Sequence, residues 1–111
     1  MKKNDDNMFL IHILDAISWI ERYVENLSYK EFTTNHLVQD GVIRQLEIIG
    51  EACRNLSDEF RQTYSDIVWH EMIALRNRLI HAYFNVNLDI IWEGVQNKLP
   101  QFKDEIETIV E

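Results

Sequence analysis

A chain of 111 residues suits a single domain, and its 46% hydrophobic and 27% charged residues are typical of a folded protein rather than a disordered one. One proline and three glycines are too few for the turns of a many-stranded β-sandwich, so the composition favours helices. The formal net charge of −8 argues against a protein that coats nucleic acid, although an RNA enzyme could gather its few arginines in one cleft.

Cysteine usage and hydropathy indicate where the protein works. Cys53 is the single cysteine, which excludes an internal disulfide and favours the reducing cytoplasm. No apolar run approaches the roughly 18 residues of a membrane helix, and the polar residues 1–7 do not resemble a signal peptide. We therefore expect a cytoplasmic protein with no membrane partner.

The first half of the chain carries hydrophobic residues at helical spacing. The spacing predicts a first helix over about 7–26, with Asp5 or Asp6 as its N-cap. Ser28 and Glu31 form a capping box, which predicts a short helical turn. A second long helix is expected to follow.

That second helix is predicted over about 36–56, and a short helical stretch follows at 59–64. A third helix is predicted over about 67–81, with Ser65 or Asp66 as its cap. Its predicted core positions are Val68, Met72, Leu75 and Leu79.

The last part of the chain begins with a predicted loop at 85–87. Asn87 or Asp89 then caps a fourth helix that reaches about residue 99, and Pro100 either opens a new helical segment or kinks the helix. Short connections between amphipathic helices predict an all-α fold, an antiparallel up-down bundle of four to five helices. Dimerisation would bury additional surface in so small a domain.

The chemistry-bearing residues concentrate in the stretch 75–84. Arg76 and Tyr83 are seven residues apart, so they would share a helix face. Arg76 and His81 are five apart, which places them roughly 140° apart around a regular helix. These two side chains converge only if the helix ends or distorts near His81, or if a second subunit supplies one of them.

This stretch also carries a family resemblance. The spacing of Arg76, His81 and Tyr83 matches the Arg-x4-His-x-Tyr motif of the HepT toxins in the HEPN superfamily. Asn77 is the small polar residue that the family prefers after the arginine. Residues 42–52 resemble the family's second-helix pattern, Ile-Arg-x-Leu-x-Ile-Ile-Gly-Glu-Ala.

Features outside the motif extend the resemblance to nearly the whole chain. Trp69 and Trp92 stand where the family has tryptophans, and Leu99-Pro100 matches a family pair. One departure is that family members often have a proline ahead of the Trp69 position, where this chain has Ile67-Val68. The departure concerns the entry to the helix and leaves the motif intact.

The resemblance implies one HEPN domain over 1–111 that forms a homodimer, in which two motif helices face one groove. It implies a metal-independent endoribonuclease without a cofactor, with Arg76 and His81 as catalytic residues and Asn77 in support. His81 would act as base and acid, and Arg76 would stabilise the charged phosphorane. Attack by the ribose 2′-OH would refuse DNA and leave a 2′,3′-cyclic phosphate.

The resemblance further implies a regulated toxin. Tyr83 would accept AMP from a partner, a nucleotidyltransferase antitoxin of the MntA type. The AMP group would fill the phosphate site beside Arg76.

The roles of two further residues stay open. Glu51 either orients Arg76 or forms an ordinary ion pair, and Arg78 either faces the phosphate or is solvated. Whether mRNA or tRNA is cut stays open.

Other functions compete with the toxin. The chain could be a non-catalytic partner or substrate-binding subunit of a minimal nucleotidyltransferase, and the net charge of −8 leans that way. It could also be a structural dimerisation bundle. The intact set of Arg76, Asn77, His81 and Tyr83 favours the toxin. His12, His36 and His70 lack the spacing of metal ligands, so no metal site is expected.

Overall fold

The computed structural model describes residues 2–81 and 86–110, and the regular elements within these ranges are all helical. The all-α prediction is confirmed. In chain order the helices are α1 (Lys2–Val24), α2 (Tyr29–Thr34), α3 (His36–Asn55), α4 (Asp58–Thr63), α5 (Trp69–His81), α6 (Leu88–Glu93) and α7 (Leu99–Val110), with a π-helical turn (Gly94–Lys98) between the last two.

Helix α3 lies at the centre of the bundle, with α1 packed on one side and α5 on the other, while α7 packs against α1. The first two long helices run antiparallel. Asp6, near the start of α1, bonds to Ser57 just beyond the end of α3, and Tyr23, near the end of α1, lies against Gly41 near the start of α3. This arrangement agrees with the predicted up-down order, because the short helix α2 spans the connection between the two.

The core consists of apolar side chains on the inward faces of the long helices. Its most deeply buried members are Leu10, Ile13, Ile17, Ile20, Phe32, Val42, Ile49, Cys53, Trp69 and Ile106. Two residues show that the predicted register of α5 is wrong at its start: Val68 is 39% exposed, whereas Trp69 is 1% exposed. Because α5 begins at Trp69 rather than near residue 67, Trp69 turns inward, and its indole N–H donates to the Tyr64 carbonyl at 3.0 Å.

Local capping sets several helix starts as the sequence predicts. The Ser28 hydroxyl accepts from the Glu31 N–H at 3.1 Å, and the Glu31 carboxylate accepts from the Ser28 N–H at 2.9 Å. The bond from the Ser28 backbone lowers the pKa of Glu31, because it stabilises the charged carboxylate. Asn35 caps α3, and Asn87 caps α6 through its side-chain oxygen.

The prediction that Asp5 or Asp6 caps the first helix is wrong, because α1 begins at Lys2 and both residues lie inside it. Asp6 is buried, and its carboxylate accepts from the backbone N–H and the hydroxyl of Ser57, both at 2.8 Å. The Ser57 hydroxyl in turn accepts from the Phe60 N–H at 3.1 Å and caps α4. Asp6 therefore connects the start of the chain to the connection after α3.

The C-terminal part of the chain is one helical segment rather than two. The π-helical turn joins α6 to α7, where the Leu99 N–H donates back to the Gly94 carbonyl. Pro100, predicted to open a new segment or kink the helix, is the second residue of α7. A proline cannot donate to the preceding helical turn, and the wider π turn directly before it accommodates that change.

Candidate active site

Helices α3 and α5 approach each other closely at Gly50. A Cβ atom at this position would overlap the Cβ of Arg76 and lie 2.7 Å from the Met72 carbonyl oxygen, closer than real Cβ contacts come. Glycine inside a helix costs roughly 0.5–1 kcal/mol relative to alanine, so it persists where the packing requires it. Gly50 therefore allows the backbone of α5 at Arg76 to lie directly against α3.

The Arg76 side chain is held by neighbours on both helices and is 22% exposed. Its Nη1 donates to the Asn77 Oδ1 at 2.9 Å, and its Nη2 lies 3.2 Å from the Glu51 Oε1. The same Glu51 oxygen lies 3.6 Å from the Arg54 Nη1. Glu51 thus contacts Arg76 across the helix junction and Arg54 within α3, so both interpretations of this carboxylate correspond to observed contacts.

The ion pair of Arg76 and Glu51 leaves hydrogen-bonding capacity unused. The distance of 3.2 Å is that of an ion pair, yet neither the Arg76 Nε nor the Glu51 Oε1 makes a hydrogen bond within the described part of the chain. A guanidinium offers five N–H donors in a planar fork suited to phosphate oxygens. Because the Arg76 Nε is buried, an anion would have to bind the Nη N–H groups that do not point to Asn77 or Glu51.

His81 lies at the other end of the predicted pair, as the last residue of α5, and is exposed. Because α5 stays helical through His81, the two motif side chains remain roughly 140° apart around it. Ile80 lines the cleft beside Arg76, and His81 lies about 100° further around the helix. The structure does not bring Arg76 and His81 into one cleft within this chain, and Tyr83 lies outside the described residues.

A cleft of about 210 Å³ adjoins Arg76 between α1, α3 and α5. We call it the Arg76 cleft, and the residues that line it include Phe9, His12, Arg44, Glu47, Glu51, Arg76 and Ile80. Phe9 and His12 were not part of the sequence-based site. Both residues lie on the first predicted helix, and nothing in their spacing points to Arg76.

Other candidate groups lie elsewhere. Arg78 lines a separate groove of about 830 Å³ between α5 and the C-terminal helical segment, so it does not share the Arg76 cleft. Cys53 is fully buried, and burial raises the pKa of its thiol to about 12 although Arg61 lowers it in part. The prediction that Cys53 is a packed residue of the apolar core is confirmed.

Two further observations hold for the described ranges. No three His, Cys, Asp or Glu side chains are grouped there in a way that could hold a metal ion. None of the helices at 2–81 and 86–110 combines the length and the apolar character required to span a bilayer.

The fold and the site together resemble a HEPN domain with its Arg-x4-His motif. The bundle is helical, an arginine is held at the central helix junction, and a histidine follows five residues further along the same helix. The chain belongs to the HepT-like ribonuclease family, since the family model described as "Ribonuclease HepT-like" matches residues 13–109. The sequence-based assignment to this family of RNA-cleaving enzymes is confirmed.

Similar proteins agree with this membership. "Putative RNase MJ1380" of Methanocaldococcus jannaschii is 38% identical over 98% of this chain and 100% of its own length. "Probable ribonuclease HepT" of Thermococcus cleftensis is 36% identical over 96% of this chain and 97% of its own length.

A longer relative shares only part of its length with this chain. "Gamma-glutamylcyclotransferase and putative RNase MJ0434" of Methanocaldococcus jannaschii is 43% identical over 98% of this chain, which spans 49% of that protein. No solved structure matches the chain significantly.

Proposed function

We propose that this protein is a metal-independent endoribonuclease toxin of a toxin–antitoxin pair and that it acts as a homodimer. Each subunit would contribute Arg76 and His81 to one composite site. The observation that carries the proposal is the contrast between these two residues: Arg76 is held against α3, and His81 is exposed and turned away from it. Membership of a ribonuclease family supports RNA as the substrate.

Two-fold symmetry offers a way to unite the two residues. In a symmetric dimer, a surface patch near the axis meets its own copy. If the exposed end of α5 lies near that axis, His81 of each subunit faces the same groove, with both Arg76 side chains on its walls. The angular separation within one helix then no longer prevents a shared site.

The reaction follows from the chemistry of these groups. One His81 imidazole removes the proton from a ribose 2′-OH, and the 2′ oxygen attacks the adjacent phosphorus. The other His81 protonates the 5′ oxygen as its bond to phosphorus breaks. Arg76 stabilises the charge on the phosphorane, and Asn77 supports it. The products are a 2′,3′-cyclic phosphate and a 5′-OH, and DNA is not cut because it lacks the attacking hydroxyl.

Activity measured on purified protein tests this proposal. The full chain should cleave RNA in the presence of a chelator, and His81→Ala or Arg76→Ala should lower the rate by about 10²–10⁴-fold. His36→Ala and His70→Ala are matched controls on exposed histidines outside the Arg76 cleft and should keep full activity. Full activity of His81→Ala, or loss of wild-type activity with the chelator, would refute the proposal.

Regulation by AMP transfer to Tyr83 is the second part of the proposal. Tyr83 follows α5 by two residues in the sequence, so it lies close along the chain to His81. An AMP group there would bring a negative charge toward the arginines of the site. Mass spectrometry of the protein coexpressed with an MntA-type nucleotidyltransferase should show AMP on Tyr83, and Tyr83→Phe should carry none.

A growth assay separates the toxin from a non-catalytic nucleotidyltransferase partner, the function that the net charge of −8 favours. Expressed alone, the wild-type toxin should arrest growth, whereas the His81→Ala variant should not. A binding subunit or a structural bundle would leave growth unchanged in both cases.

A further inference from the structure

The Arg76 cleft contains groups for which the proposed reaction has no use. Phe9 and His12 form an aromatic pair on α1, with ring centroids 6.1 Å apart and ring planes at 81°. Phe9 is partly buried, and His12 is exposed. Arg44 stands on α3 at the same cleft, with 69% of its side chain exposed. These side chains are accessible and face the residue that the proposal places on the scissile phosphate.

The combination of aromatic rings and arginines suits single-stranded RNA. Unpaired bases stack on aromatic side chains, and basic groups follow the phosphates of the strand. Here the rings come from α1 and the cations from α3 and α5, so they lie on different walls of one cleft. A volume of about 210 Å³ is smaller than the roughly 300–1,000 Å³ of a site that encloses a drug-sized ligand. The cleft therefore has room for part of one nucleotide.

The charges around the cleft are compatible with a phosphate. Glu47 lies 3.6 Å from Arg44, and Glu51 lies between Arg76 and Arg54. Two arginines, Arg44 and Arg76, thus accompany the two carboxylates in the lining of the cleft, which balances its charge in a chain whose net charge is −8. The negative net charge makes non-specific attraction of RNA weak. Binding of RNA therefore depends on specific contacts such as those that this cleft offers.

We propose that the Arg76 cleft binds the ribonucleotide next to the scissile phosphate, with His12 and Phe9 against its base and Arg44 on its outer phosphate. The inference rests on the proposed function, because it assumes that RNA is cut beside Arg76. His12 and Arg44 become substrate-binding residues, and each makes a different contact. The base contact and the phosphate contact can therefore be tested separately.

Binding is measured on the full chain in the inactive His81→Ala background, with fluorescent single-stranded oligouridylates of eight residues. His12→Ala and Arg44→Ala should each raise the Kd at least about fivefold, the effect of losing one stacked base or one phosphate contact. His36→Ala and Arg22→Ala, which alter exposed residues outside the cleft, should leave the Kd unchanged. His12→Phe keeps a ring for stacking and should restore affinity.

Two further measurements assign the contacts. In the first, a series of oligouridylates carries one abasic residue at successive positions along the strand. At one position the parent and His12→Ala should have the same Kd, because the missing base and the mutation then remove the same interaction. For Arg44→Ala, the slope of log affinity against log salt should fall by about 0.7, the value for one phosphate of a single strand. His12→Ala should leave that slope unchanged.

The outcomes separate this inference from the proposed function. If His81→Ala abolishes cleavage but His12→Ala and Arg44→Ala bind as tightly as their parent, the subsite is refuted and the nuclease stands. If His81→Ala still cleaves RNA, the proposed function fails whatever the binding data show. An affinity loss in His12→Ala that His12→Phe does not restore refutes the stacking contact.

Discussion

Helix α3 packs against α1 on one side and α5 on the other, and it has a glycine at each of these junctions. The two glycines differ in the neighbouring atoms that a Cβ atom would contact. At Gly41 an added Cβ would meet the Tyr23 ring at 3.0 Å, a side chain that is able to turn aside. At Gly50 it would meet the Met72 carbonyl and the Cβ of Arg76. A ring can shift by a few tenths of an ångström, whereas a helix backbone moves only as a whole.

This difference shows where the bundle is tightly constrained. The junction with α1 is lined by buried apolar residues and tolerates small adjustments. The junction with α5 sets the position of Arg76, and Glu51 and Asn77 then orient its guanidinium. We expect changes at the α5 junction to affect both stability and the position of Arg76, and comparable packing changes at the α1 junction to affect stability but not the position of Arg76.

The largest effect is expected for Arg76→Lys. Lysine keeps the charge but lacks the planar fork that contacts Asn77 and Glu51, so RNA cleavage should fall by about 10²–10³-fold. Thermal unfolding should stay close to that of the wild type, because the side chain is partly exposed and the charge is retained. Wild-type kcat/KM in Arg76→Lys would mean that this junction has no special role in catalysis.

The comparison of the two glycines is tested directly by alanine. Gly50→Ala should lower the free energy of unfolding by about 2 kcal/mol, because overpacking outweighs a gain of roughly 1 kcal/mol in helix propensity. Gly41→Ala should stay within about 0.5 kcal/mol of the wild type, since the Tyr23 ring can yield. Urea unfolding of both variants measures the difference, and equal stabilities would contradict the contrast drawn between the junctions.

The α1 side has its own specific contact in Asp6. Asp6→Ala removes the acceptor of both Ser57 bonds and leaves a partly buried N–H unpaired, so the free energy of unfolding should fall by about 1.5 kcal/mol. The exposed neighbour Asp5 provides the control, and Asp5→Ala should change stability by less than about 0.5 kcal/mol. RNA cleavage by folded Asp6→Ala protein should equal that of the wild type. A loss of activity would show that the contact of Asp6 with Ser57 also positions Arg76.

A smaller effect is expected at Glu51. Its ion pair with Arg76 is partly exposed, and such pairs contribute up to about 1 kcal/mol. Glu51→Gln should therefore lower kcat by no more than about fivefold, through looser positioning of the guanidinium. Glu47→Gln breaks the comparable pair with Arg44 and should leave kcat unchanged. If the two variants behave alike, Glu51 is an ordinary ion-pair partner.

The smallest effect belongs to the outer contact of α1 with α7, where the Lys103 Nζ donates to the Glu21 carboxylate at 3.1 Å. This bond raises the pKa of Lys103 above its ordinary value of 10.5. The associated stability is complete below pH 10.5 and is lost as the pH rises through the folded-state pKa. Lys103→Met should cost a few tenths of a kcal/mol near neutral pH, and the deficit should vanish in strongly alkaline buffer.

Much of the fold could be predicted because it depends on neighbours in the sequence. The capping box of Ser28 and Glu31 and the cap at Asn87 are formed within a few residues and lie where the sequence places them. The predicted start of α5 is wrong because Val68 and Trp69 are both apolar, so the sequence pattern does not show which of them faces the core. Val68 would lie on the inner face only if the helix included it, and α5 begins one residue later. The prediction of Asp6 as a cap is wrong because its partner Ser57 is 51 residues away, beyond the reach of a local pattern.

By itself the sequence determined the helices, the family and the Arg76–His81 spacing, because periodicity, capping and motifs act over a few residues along the chain. Only the tertiary structure decided which residues surround Arg76. These neighbours come from other helices: α3 contributes Gly50 and Glu51, and α1 contributes the His12–Phe9 pair. These residues come together because of the distance and the rotation at which the helices pack. Both depend on the shapes of side chains on two helices, so the sequence pattern of one helix does not predict them.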